Sequence, residues 1–109
     1  MLISSDAAQA LLTITQTRTV LDGVVVRGVR AVAGEQLREL TSLSAEMQRI
    51  GASHIAALLA TLADQIERGD RGAAATLMTA LSHTRMLDRL LTLRAADAIY
   101  KASVGDEHG

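Results

Sequence analysis

The sequence predicts an all-α domain, a small antiparallel bundle of four or five helices, and three observations predict it. The apolar share of the 109 residues is Leu, Ala, Val, Ile and Met, with Tyr100 the single aromatic. There is no proline to break a helix and no cysteine to staple an irregular fold. From Glu35 onward, apolar residues recur at spacings of three and four, the period of one helix face.

Residues 6–33 carry conflicting signals. Thr13, Thr15, Thr17 and Thr19 alternate, Val24 to Val26 are β-branched, and Asp22-Gly23 lies between the two runs. That pattern is a hairpin signal. The implied register, however, sets Arg18 opposite Arg27, an unfavourable like-charge contact. The helical template instead aligns Leu11, Ile14, Leu21, Val25, Gly28 or Val29, and Val32, with only Arg18 out of place. Its cost is Gly23 and Gly28 inside a helix, about 1 kcal/mol each. We adopt the helical reading, and an N-terminal β-hairpin packed on three helices is the alternative.

The remaining elements follow in order. Leu37, Leu40, Leu43, Met47 and Ile50 form one stripe, and Gly51 ends that helix. Ser53 is placed to cap the next, whose stripe is Ile55, Leu58, Leu59, Leu62 and Ile66. Asp64 and Arg68 lie four apart as an exposed pair, and Arg68-Gly69-Asp70 reads as basic last turn, stop and new cap. A long last helix turns Ala74, Leu77, Leu81, Leu87, Leu90, Leu91 and Ala98 inward and frays after Tyr100. One domain over 1–103 and a disordered tail over 104–109 are expected. Linkers of two or three residues make the helices antiparallel neighbours.

Composition narrows function mostly by exclusion. Eleven Lys and Arg against twelve Asp and Glu give a net charge of -1, so the whole chain has no electrostatic drive toward nucleic acid or anionic membrane. The first residues lack the basic start and apolar run of a signal peptide. The longest near-continuous apolar stretch, Ile55 to Ala63, is far short of the about 20 residues that span a bilayer. A cytoplasmic protein without membrane contact is expected.

Chemical motifs are scarce. Metal sites on helices place ligands three or four residues apart, yet no Glu precedes a His by three and no two of His54, His83 and His108 are four apart. These histidines read as solvent-facing. Asp64 and Glu67 lie among Arg68 and Arg71, an ordinary charged face rather than an acid–base pair. There is no nucleophile elbow, and Gly23, Gly28 and Gly34 match neither phosphate-loop spacing. No enzyme activity, cofactor, metal or small-molecule substrate is inferred.

Two features remain. Arg85, Arg89 and Arg94 with His83 make a small basic strip diluted by Asp88, without aromatic platforms for single-stranded nucleic acid. The last helix is also apolar around much of its girth, and Met78, Met86 and Leu93 fall off its main stripe. A second buried face is implied, either against residues 6–33 or across an interface.

Arg27-Gly28-Val29-Arg30-Ala31-Val32, Ser44-Ala45-Glu46-Met47 through Ala52, Ile55-Ala56, Leu58, Ala80-Leu81 and Leu87 to Leu91 carry a resemblance. From Asp22 to Leu93 the chain resembles the helical region that accompanies the zinc finger in bacterial SWIM zinc-finger family proteins. The finger itself, Cys-x-Cys with Cys-x-His, is absent, so its metal and nucleic-acid activities carry over to no residue. The resemblance implies an all-helical accessory component, a companion of MoxR-type ATPases and von Willebrand factor A partners.

The expected function is therefore a non-enzymatic bacterial adaptor or assembly module, a homodimer or a subunit docked on a larger protein. Its expected interface is Met78, Met86, Leu90 and Leu93 with Arg85 and Arg89 at the rim. A nucleic-acid-binding accessory subunit using the arginine strip is the alternative.

Overall fold

The computed structural model describes the backbone of residues 5–108 and the side chains of residues 7–104. Its order is α1 (Ser5–Arg27), a 3-10 turn (Val29–Ala31), α2 (Gly34–Arg49), α3 (Ser53–Arg68) and α4 (Ala73–His108). The described residues contain four α-helices and no strand, so the hairpin alternative is not supported.

The competing signals of the first segment are reconciled within one helix. Thr13 and Thr17 are buried while Thr15 and Thr19 face out, so the alternation is split between two helical faces rather than marking one strand face. The Thr17 hydroxyl donates to the Thr13 carbonyl at 2.8 Å, and Thr19 does the same to Thr15 at 3.0 Å. This back-bonding satisfies hydroxyls that would otherwise compete with the helix. Ile14, Leu21 and Val24 form the buried stripe, whereas Val25, expected inward, is exposed.

Gly28 corrects the expected length of this helix. It lies outside the helix interior, at φ 85°, where its N–H still bonds the Val24 carbonyl at 2.8 Å and the chain then turns. A left-handed backbone is costly for any residue with a Cβ, so glycine here is the stop signal. Gly23 behaves differently. It stays helical with open space around an added Cβ. Gly23→Ala should therefore stabilise the protein by about 0.5–1 kcal/mol, read as a higher urea midpoint. Gly28→Ala should lower that midpoint by a similar amount.

The later boundaries follow the sequence except at two caps, Ser53 and Asp70, since α4 begins only at Ala73. Gly69 adopts φ 66° and closes α3, and the Asp70 carboxylate accepts the Gly72 N–H at 2.7 Å on the approach to α4. Asp64 and Arg68 pair at 2.7 Å. Ser53 does not cap α3: Ala52 holds that position and contributes no side-chain hydrogen bond. At the start of α2 the Ala33 N–H donates to Gln36 Oε1 at 3.2 Å.

The core joins all four helices through Ile14, Leu21, Leu40, Met47, Leu59, Leu62, Leu77 and Ala80, each almost wholly removed from water. Helix α2 runs against α3, tied by the Ser44 hydroxyl donating to the Ala56 carbonyl at 2.7 Å. Helix α1 lies antiparallel to α4, because Arg18 reaches Asp88 at 2.7 Å while Asp22, one turn on, faces Arg85 at 3.6 Å. Arg18 thus leaves its apolar stripe to make an interhelical ion pair. Both partners are partly exposed, so a double-mutant cycle on Arg18→Ala and Asp88→Ala should give a coupling of about 0.2–1 kcal/mol.

Helix lengths are unequal. The 16 residues of α2 and of α3 span about 24 Å, but the 36 of α4 span about 54 Å. The molecule is correspondingly elongated, 59 × 21 × 20 Å with a radius of gyration of 16.4 Å. A compact domain of this length would have about 13 Å. The backbone of α4 is helical through His108, past the Tyr100 at which fraying was expected.

Candidate interaction face

Two sides of α4 have opposite character. Ala73, Leu77, Ala80, Leu81 and Thr84 are buried, with Leu87 and Leu91 half-buried on the same side. The Thr84 hydroxyl donates to the Ala80 carbonyl at 2.7 Å, which lets it sit in an apolar contact zone. Helices α1 and α3 cover this side. Ala74, Leu90 and Ala98, expected inward, point out instead.

At about 100° per residue, the side opposite the buried one carries Met86, Leu93 and Tyr100, with Leu90 on the flank beside the α2–α3 turn. Their exposures are 62%, 61%, 67% and 48% in that order, and Met78, 54% exposed, lies about two turns before Met86. The steps from Met86 to Leu90, Leu93, Asp97 and Tyr100 are four, three, four and three, the spacing of a coiled-coil seam. Asp97 is the polar member of that series and pairs with Lys101 at 3.0 Å. The first helix does not cover Met78, Met86 or Leu93; it covers the other side.

Large apolar side chains at nearly half exposure or more are individually ordinary, but a run of them along one helix is not. The expected contact residues Met78, Met86, Leu90 and Leu93 therefore share one outward side, and Arg89 is exposed beside them. Arg85 belongs elsewhere, facing Asp22 of α1. That pairing takes Arg85 out of the arginine strip and leaves Arg89 and Arg94 as its exposed members.

Sequence reasoning passed over two features of this region. Tyr100 continues the seam spacing, a signal legible in the sequence but masked by the expectation of fraying. The other is tertiary: His54 and His83, 29 positions apart, bring their ring centroids to 4.7 Å at an interplanar angle of 61°. They line a recess of about 310 Å³ between the α2–α3 turn and α4, together with Met86, Leu87 and Leu90. Sequence spacing holds no trace of that contact.

Elsewhere, a groove of about 600 Å³ at the opposite end is lined by Val29, Leu37, Gln65, Ile66 and Asp70 among others. Gln65 Oε1 is buried there without a hydrogen-bond partner. Among the described residues, no three His, Asp or Glu side chains gather as a metal cluster, and no helix is long and apolar enough to cross a membrane. The chain matches no known protein family, curated protein or solved structure.

Proposed function

We propose that this protein is a non-enzymatic assembly subunit that pairs with a second copy of itself through the outer side of α4. The observation that carries this reading is the exposed seam Met86, Leu90, Leu93 and Tyr100, set away from the side that α4 already buries. A two-fold pairing of identical seams suits the spacing, because such an interface needs only one self-complementary patch. The length of α4 favours it too. Beyond the α2–α3 turn, level with Met86 to Leu90, the helix continues to His108 with α1 along its buried side and its outer side exposed. Two copies laid seam to seam would cover those apolar side chains from both directions.

The resemblance to the helical region of SWIM zinc-finger family proteins fits an accessory role of this kind, with a larger partner taking the same seam in a fuller assembly. The nucleic-acid reading draws less support, since Arg85 faces Asp22. Sedimentation equilibrium over a wide concentration range tests the proposal. The expected result is a mass that rises toward twice 11.5 kDa. A constant monomer mass at high concentration would refute it.

A further inference from the structure

We propose that His54, His83 and Met86 form a binding site for monovalent copper. The three side chains line one recess, and two of them already touch. His83 and Met86 lie three residues apart on α4, so one helix presents both. His54, on the first turn of α3, supplies the third from across the interface. With a metal–nitrogen bond of about 2.0–2.1 Å and a ring nitrogen about 1.1 Å from its centroid, two imidazoles on one ion at about 90–120° hold their centroids about 4.5–5.5 Å apart. The observed 4.7 Å lies in that interval. The rings meet edge to face, and His54 is exposed. Neither imidazole is tied by a hydrogen bond or ion pair to another described residue, so ring lone pairs are free for a metal.

The choice of ion follows from the donors. Two imidazoles and a thioether, with no carboxylate lining the recess, are a soft, neutral set. Thioether ligands select monovalent copper over harder divalent ions. The start of α3 adds a positive helix end, which disfavours a dication more than a monocation. The remaining lining is Ile55, Leu87 and Leu90 with the small residues Gly51 and Ala52 and the neutral hydroxyl of Ser53, which adds no charge to compete for a low-charge ion. This site shares no residue with a cysteine finger and does not rest on self-association.

The test uses the full chain without a histidine tag, titrated anaerobically with Cu(I) held by a chromophoric chelator. One equivalent per chain should be withdrawn from the chelator, and the imidazole resonances of His54 and His83 should shift while those of His108 stay in place. His54→Gln and His83→Gln should each weaken binding by at least about tenfold, given that even outer-shell partners of metal ligands are worth 10–100-fold. Met86→Leu should weaken Cu(I) binding while leaving the weaker Zn(II) binding unchanged. Circular dichroism of each variant confirms an intact helical fold. Failure to withdraw copper, withdrawal untouched by both histidine substitutions, or zinc held more tightly than copper would each overturn the proposal.

Discussion

The Met86→Asp/Leu90→Asp double variant should remain a folded helical monomer at concentrations where the proposed pairing would make the unaltered protein a dimer. Both side chains are about half exposed or more in the single chain, so aspartate there removes no buried contact within it. Surface changes of that kind alter stability by within about 0.5 kcal/mol. Across a seam the same carboxylates would be desolvated without partners. Each interface anchor lost costs about 1–2 kcal/mol or more, so the pair should weaken association by at least about a hundredfold. Light scattering at matched concentrations reads the loss, and urea melts at dilute concentration check that the fold is untouched. The control is Ser42→Asp/Thr41→Asp on the outer side of α2, which should leave the dimer intact.

Leu62→Ala should have the opposite profile, with a large loss of stability and no specific effect on pairing. Leu62 is fully buried in α3, the helix packed between α2 and α4. Removing three carbons there loses transfer energy and leaves a cavity that surrounding side chains refill only in part. The expected loss is about 2–5 kcal/mol. Small domains have about 5–15 kcal/mol in total, so this single change places the protein near its unfolding threshold. Leu93→Ala, by contrast, should leave the monomer melt almost unmoved because that side chain is 61% exposed. Comparing the two variants in urea, with slope and midpoint fitted separately, distinguishes core from seam.

These contrasts show how much of the architecture was legible beforehand. Residues 35–72 could be read closely because stripe and stop glycine agree, although Ser53 does not supply the expected cap: Leu40, Leu43 and Met47 are buried together, and Gly69 takes the left-handed turn. The first helix was harder, because β-branched residues and Asp22-Gly23 argue locally for a hairpin while the period argues for a helix. Period prevailed because burial of Ile14, Leu21 and Val24 against the other helices outweighs a local preference of about 1 kcal/mol. The end of that helix was misread, since a sequence does not reveal which glycine will adopt positive φ; Gly23 stays helical and Gly28 does not.

At the candidate face the apolar residues were legible as excess beyond one stripe, whereas their partners across helices were not. Arg85 looked like a rim charge until the register of α1 against α4 set it beside Asp22. Leu90 looked like core, yet it borders the open recess beside the α2–α3 turn and stays 48% exposed. The His54–His83 contact is likewise a product of how α3 and α4 dock, which no local pattern encodes.

Leu93 offers the most direct measurement, because the seam from Met86 to Tyr100 is centred on it and the chain has no native cysteine. In a parallel pairing every seam residue faces its own copy, and in an antiparallel pairing the central residue does so at the two-fold axis. Leu93→Cys should therefore form an interchain disulfide rapidly under mild oxidation, while Ser42→Cys on the far side of the bundle should not. Equal, slow crosslinking at both positions would mean that the outer side of α4 does not receive a second copy.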